Sequence, residues 1–194
     1  MSFFRQNFKK HAIGLSMITG LGVSVAVSAG NAVNATSITQ NKATTAMKIT
    51  ADMPIIDKVY VDKSARRLQL LSGNQVIKSY NVALGGNPVG HKQRQGDKRT
   101  PIGSYTLDYK NEKSKFYRSI HVSYPNATDK ARAKALGVNA GGDIMIHGQT
   151  NGMSASALAT QKSDWTEGCI AVTNDEMDEI MAAVKVGTPI EIVE

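Results

Sequence analysis

The sequence predicts a mainly β domain, a sandwich or small barrel with two or three short helices. Three observations lead there. From Ile55 onward, apolar and polar residues alternate with a period of two over several short segments. Gly, Asn, Ser and Pro separate those segments at turn-like intervals. Only one stretch, near the C-terminus, keeps a clear helical period.

Taken in order, Val59 and Val61 alternate with Lys58 and Asp62 as in a half-buried strand. Leu68 and Leu70 alternate with Arg67 and Gln69, Ser72-Gly73-Asn74 supplies a turn, and Val76 to Leu84 resumes the pattern, so 66–84 reads as a hairpin. Gly85-Gly86-Asn87-Pro88 breaks the chain, and 88–100 reads as a polar, basic loop. Strands are expected over 102–109 and 116–123. Thr128 to Leu136 is rich in Ala, Lys and Arg and stops at Gly137, which reads as a helix; Ser154 to Lys162 is a weaker helical segment. Asp143-Ile144-Met145-Ile146 is a short apolar strand. Met177, Ile180, Met181 and Val184 fall at i, i+3, i+4 and i+7, so a helix over 174–186 turns one apolar face inward. Thr173 or Asn174 caps it, Asp175, Glu176 and Asp178 sit near its positive end, and Gly187 and Pro189 stop it. Its methionines are explained by core packing. Ile190 and Ile192 around Glu191 form a last strand.

With 194 residues and 41% hydrophobic content the chain can bury one ordinary core, which excludes disorder over its whole length. A single Cys excludes an internal disulfide framework and a Cys-cluster zinc site. The net charge of +7 invites a nucleic-acid reading, but its distribution weakens it. Residues 91–118 hold eight Lys and Arg against three Asp and Glu, whereas 164–194 hold eight acids against Lys185 alone. A basic patch of that size suits an anionic polymer or an ordinary solvated face, and nucleic acid is not expected as a partner.

Residues 1–35 read as a signal peptide. Arg5, Lys9 and Lys10 precede an uncharged, largely apolar stretch from Ala12 to Ala29, and Val33 and Ala35 stand at −3 and −1 of a cleavage site. The competing reading is an uncleaved anchor, because the stretch nears spanning length. With cleavage no transmembrane segment is expected in the remainder. Residues 36–54 read as a polar linker and 55–194 as the working domain. The protein is expected to act outside the cytoplasmic membrane, in a periplasm or cell wall.

Chemistry centres on Cys169, in Trp165-Thr166-Glu167-Gly168-Cys169-Ile170. A lone Cys is often a small buried hydrophobe, but a spare thiol in an exported protein risks oxidation, which favours a working role. Gly168 permits close approach of a substrate backbone, and its N–H with that of Cys169 can face a developing oxyanion. A thiol needs a base or a positive neighbour to attack at neutral pH. His91, His121 and His147 are the candidates. His91 lies in the polar loop and is expected to face solvent. His147 ends a short strand before Gly148, a good place for proton transfer, or is a hydrogen-bonded structural histidine. His121 supports the site or lines a half-buried strand. Three His and the Cys lack the close spacing of a zinc site, so no metal is expected.

These residues resemble the L,D-transpeptidase (YkuD-type) catalytic domain over most of 56–193. Val61-Asp62-Lys63-Ser64 with Arg67-Leu68-Gln69-Leu70 is similar to the family's opening hairpin. Ala83-Leu84-Gly85-Gly86-Asn87-Pro88 followed by Gly96-Asp97-Lys98-Arg99-Thr100-Pro101-Ile102-Gly103-Ser104-Tyr105 is similar to its next segment. Ile146-His147-Gly148 and Thr166-Glu167-Gly168-Cys169-Ile170 resemble its two active-site motifs.

The resemblance implies a cysteine acyltransferase on peptidoglycan stem peptides, with His147 as general base and then acid, Cys169 as nucleophile, and no cofactor. Gly168, Thr166, His121 and Trp165 are the candidates for substrate binding or oxyanion stabilisation; Trp165 either flanks the substrate channel or packs in the core. The chain departs from the commoner pattern at Glu167, where a His often precedes the Gly, and at Ala171, where an Arg often follows the Cys. Glu167 close to the thiol would oppose thiolate formation, and a cation from 92–118 would have to stand in for the missing Arg. Two other readings use the same residues differently: an L,D-carboxypeptidase or endopeptidase in which water resolves the thioester, and a non-catalytic wall-binding module.

Overall fold

A computed structural model describes residues 54–153 and 163–194, all within the unit Asn41–Glu194. The signal and most of the linker, and the helix expected over 154–162, lie outside the described residues.

Eight strands form one sheet: β1 (Lys58–Asp62), β2 (Arg67–Ser72), β3 (Gln75–Asn81), β4 (Gly103–Ser114), β5 (Tyr117–Val122), β6 (Met145–His147), β7 (Ile170–Ala171) and β8 (Pro189–Val193). Their order is β3-β2-β1-β8-β4-β5-β6-β7. The period-two alternation in β1 and β2 puts Val59, Val61, Leu68 and Leu70 inside at 0% exposure. β2 and β3 make the expected hairpin, turning at Gly73, whose φ of 58° is left-handed.

β4 carries the sheet around a corner. Gly103 to Thr106 pair with β8, whereas from Leu107 onward β4 pairs with β5 and slips register twice. Its polar end, Lys110 to Lys113, gives no alternation to read, which is why the expected strand stopped at 109. At the far edges the sheet meets itself. Ala83, just past β3, exchanges both backbone hydrogen bonds with Ala171 of β7, at 2.9 and 2.8 Å. The curled sheet is a half-barrel whose β7 end is tied to the chain just past β3 by the isolated pairs Ala83–Ala171 and Gly85–Thr166, and the mainly β expectation holds.

Two helices are present among the described residues. In α1 (Ala127–Ala135), Asn126 and Asp129 form a reciprocal capping box. In α2 (Asn174–Ala183), Thr173 and Glu176 do the same, and Met177, Ile180 and Met181 are buried as their spacing requires. α2 ends three residues before the expected 186. Val184 turns extended, because Leu107 accepts from the Gly187 N–H and donates to Thr188 O, drawing the chain onto β4.

The 88–100 segment has no regular structure but is far from a simple surface loop. Asp97 accepts from Lys92 Nζ (2.9 Å) and from the N–H groups of Gln93, Arg94 and Arg99 (2.7, 3.0 and 3.1 Å). Burial would raise that carboxyl, yet these donors hold it at about 2. The knot lays residues 85, 98 and 99 against the neighbourhood of Cys169.

Candidate active site

His147 is the last residue of β6 and only 2% exposed. Its Nδ1–H donates to the Gly148 carbonyl at 2.6 Å, which leaves the Nε2 lone pair as the basic position. Burial pushes the imidazole pKa down, partly opposed by that carbonyl. Aromatic rings pack on it from two directions: Phe116 at 4.5 Å and tilted 32°, and Trp165 edge-on at 5.6 Å. Phe116 and Trp165 are 5.9 Å apart.

Phe116 comes from the tip of the β4–β5 hairpin, and Asn151 fastens that tip. Its Oδ1 accepts from the Tyr117 N–H at 3.0 Å, its Nδ2 donates to Ser114 O at 2.9 Å, and its backbone N–H donates to Lys115 O at 3.2 Å. The sequence reading did not single out Phe116 or Asn151. Phe116 falls within the expected strand over 116–123, and no local signal tells that it covers a histidine 31 positions later.

Cys169 immediately precedes β7. β6 and β7 run parallel with Ile146 opposite Ile170 and His147 opposite Ala171. Because Ile146 and Ile170 point into the core at 0% exposure, His147 and Cys169 project from the opposite face of adjacent strands. The Cys169 Sγ makes no hydrogen bond to the imidazole; it donates to the Asp143 carbonyl at 3.5 Å. Asp143 holds a left-handed φ of 54°, which aims that carbonyl. Burial pushes the thiol pKa up, ahead of the opposing pull of the Met145 backbone and the Lys92 charge. Both shifts favour the uncharged forms, imidazole and thiol.

Thr166 braces the turn into Cys169. Its Oγ1 donates to Cys169 O at 2.8 Å and accepts from the Gly168 N–H at 3.1 Å. That corrects one expectation: the Gly168 N–H is occupied, leaving the Cys169 N–H as the one of the pair that Thr166 does not take. Gly168 is also required by the fold itself. Its φ is 130°, and a Cβ there would lie 2.6 Å from Arg99 O, so the protein's own backbone approaches it closely.

The remaining candidates separate. Trp165 belongs to the His147 cluster. His121 is engaged elsewhere, its Nδ1 2.6 Å from Asp108 Oδ1 and its ring stacked on Tyr109 at 4.7 Å, with no bond to Cys169 or His147. His91 does not face solvent as expected: its Nδ1 accepts from the Ile102 N–H at 3.0 Å, and Nε2 sits 3.1 Å from the buried Asp129. Glu167 does not crowd the thiol either. Its exposed carboxylate pairs with Lys98 at 3.3 Å. Ala171 is buried, its backbone paired with that of Ala83. Among the described residues, no group of three His, Cys, Asp or Glu is arranged to hold a metal, and no helix is long and apolar enough to cross a membrane.

Against known proteins, the family model of the L,D-transpeptidase catalytic domain (YkuD) matches residues 56–192. A curated relative in Escherichia coli strain K12, named "Putative L,D-transpeptidase YafK", is 29% identical over 135 residues, covering 68% of this chain and 47% of its own. The chain thus spans about half the length of the curated relatives it matches. The crystal structure of the helical cell shape determining protein Pgp2 from Campylobacter jejuni aligns at TM-score 0.56 with 22% identity, covering 76% of this chain and 54% of that one. A likeness at that identity concerns the fold.

Proposed function

This chain belongs to the L,D-transpeptidase catalytic-domain family, whose chemistry is the modification of peptidoglycan, and from that premise we propose that it is an exported cysteine acyltransferase acting on peptidoglycan stem peptides. Cys169 is the nucleophile and His147 the proton carrier. The observation that supports this most is the state of His147: a tautomer fixed by Gly148 O, a free Nε2, and a place on the strand beside the one that Cys169 enters.

Burial favours the uncharged forms of both thiol and imidazole, which suits proton transfer in concert with attack. The Sγ proton passes to His147 Nε2 as sulfur bonds to the carbonyl carbon of the residue before the terminal D-Ala. The Cys169 N–H is available to the oxyanion, and the Gly168 turn, braced by Thr166, fixes its direction. Collapse breaks the C–N bond, and the imidazolium returns its proton to the departing D-Ala amine, leaving a thioester. A stem-peptide amine then attacks the thioester, His147 takes its proton, and the thiol is released protonated. Water in place of the amine gives the carboxypeptidase outcome from the same thioester.

The test is incubation with purified stem tetrapeptides and mass analysis. Release of D-Ala with a cross-linked product supports the proposal, and release with a tripeptide alone assigns the hydrolytic variant. No D-Ala release from the intact enzyme, or unchanged release from Cys169→Ala, overturns it. A carbapenem, as an acyl-donor mimic, is expected to add covalently at Cys169 and not to Cys169→Ala.

A further inference from the structure

The row of side chains that leads away from the thiol ends on an irregularity in β4. Leu107 opposes Val122 and Lys110 opposes Ile120, so Asp108 and Tyr109 together face the single residue His121. A bulge of this kind re-aims side chains, and both residues contact that histidine. Asp108 Oδ1 stands 2.6 Å from His121 Nδ1, and the Tyr109 ring stacks on the imidazole at 4.7 Å and 13°. His121 in turn opposes Met145 of β6. Ile146 opposes Ile170 in the parallel pair, so one residue earlier Met145 stands beside Cys169. Ile120, Ile146 and Ile170 fill the core, which places His121, Met145 and Cys169 in one line across the other face. Neighbouring strands are about 4.8 Å apart, so that line runs roughly 10 Å.

Asp143 flanks the line at its thiol end. Its carbonyl accepts the Sγ hydrogen at 3.5 Å, and covalent geometry then keeps its carboxylate within about 10 Å of the sulfur. Its charge is felt at both ends of the line. Burial, then Asp143 and Asp108, push the Tyr109 hydroxyl pKa up, and Asp143 adds to the burial that pushes up the thiol. Asp108 is engaged with His121, whereas Asp143 is exposed and its carboxylate has no hydrogen bond or ion pair among the described residues. A carboxylate there opposes the thiolate, so it does nothing for the first attack. The backbone does not ask for it either. Asp143 follows Gly141 and Gly142 and holds a φ of 54°, where a glycine would rest with less strain.

We propose that Asp143 is a specificity-determining residue for the second half-reaction, its carboxylate drawing a primary ammonium group to the thioester with the Tyr109 ring along the approach. This rests on the reading of the chain as a stem-peptide acyltransferase and assigns what favours an amine over water as acceptor. An ammonium pairs with a carboxylate and rests on an aromatic face, whereas water carries no charge to attract. The amine arrives protonated and gives one proton to solvent. The neutral amine then forms the C–N bond as the C–S bond breaks, and its second proton passes through His147 to the sulfur. Pairing with Asp143 favours the charged form, so the gain lies in the amine concentration at the site and not in the reactivity of the bound amine.

The test uses the full-length enzyme, a stem tetrapeptide donor and an acceptor stem peptide with a free side-chain amine, and measures the ratio of cross-linked to hydrolysed product by mass. Both products come from one thioester, so the ratio does not depend on how fast that thioester forms. In Asp143→Asn and Asp143→Gly, the amine concentration that captures half the thioester is expected to rise at least about threefold. Hydroxylamine, uncharged at neutral pH, is expected to keep its half-point within about 1.5-fold between parent and variants. High salt should raise the parent's half-point for the amine toward that of the variants. No shift with the amine overturns the inference, and so does an equal shift with hydroxylamine, which marks a structural change. If the parent releases D-Ala but captures no amine, the inference fails and the thioester chemistry stands. If the parent releases none, the acyltransferase reading fails and takes this inference with it.

Discussion

The ring of Phe116 lies 4.5 Å from the imidazole of His147, so a hairpin tip formed by one pair of strands covers the histidine at the end of another. The cover matters electrostatically, since burial is the main cause that keeps the imidazole pKa below its ordinary value. Phe116→Ala is therefore expected to raise the His147 pKa toward the ordinary value, with Trp165 still shielding the other side. Loss of activity on the acid side then begins at higher pH, and turnover near neutrality falls by roughly tenfold as the ring loses its fixed orientation. NMR titration of the His147 ring and a pH–rate profile read both effects. An unchanged titration curve would mean that Phe116 covers the ring without setting its environment.

Asn151 acts one step further out. Asn151→Ala removes two side-chain hydrogen bonds to the hairpin tip, at 3.0 and 2.9 Å. The expected loss is about 1–2 kcal/mol in denaturant unfolding, with faster amide exchange concentrated at 114–117. Exchange that rises uniformly over the domain would count against a local clasp.

How far these relationships could be read in advance depends on their reach along the chain. The face and caps of α2 follow from residues three or four apart, and the β2–β3 hairpin from a period of two around Gly73, so both were legible. His147 and Cys169 stood out through their own motifs. Phe116 over His147, Lys98 on Glu167 and Asn151 on Tyr117 join residues tens of positions apart, and nothing local encodes them. The Arg99 contact at Gly168 has the same origin. A glycine before a nucleophile announces a close backbone approach, but that Arg99 makes one follows from the Asp97 knot.

Gly168→Ala is expected to be among the most damaging single substitutions in the site. It places a Cβ 2.6 Å from a backbone oxygen that Asp97 holds in position, and it asks an L residue to keep a φ of 130°. Destabilisation of about 2–4 kcal/mol, with activity lost beyond what unfolding explains, is the expected result in chemical denaturation and turnover assays. Near-wild-type stability would show that the 98–100 segment yields easily, contrary to its hydrogen bonding.

Glu167 should behave in the opposite way. Its pair with Lys98 is open to solvent, with 71% and 55% of the two side chains exposed, so Glu167→Gln is expected to change stability by less than about 0.5 kcal/mol. Alkylation of Cys169 by iodoacetamide should also keep its rate within about twofold, because the carboxylate is turned away from the thiol. A rate several times higher in the variant would reveal that Glu167 reaches the sulfur in solution.

The buried His147 and the half-buried His91 make stability depend on pH in a definite direction. Burial lowers the pKa of both His147 and His91 below 6.5 in the fold, the latter despite the opposing Asp129. Between each folded value and 6.5 the unfolded chain binds more protons than the native one, so protonation favours unfolding and stability rises with pH. The contribution is fully present above 6.5 and fades as pH falls toward the lower folded values. Thermal midpoints are therefore expected to drop between about pH 7.5 and 5, a window around the ordinary imidazole pKa. The double variant His91→Gln, His147→Gln should show a shallower drop over the same window, whatever its absolute stability. A slope as steep in the double variant as in the native chain would mean that carboxylates, and not these imidazoles, govern the acid side.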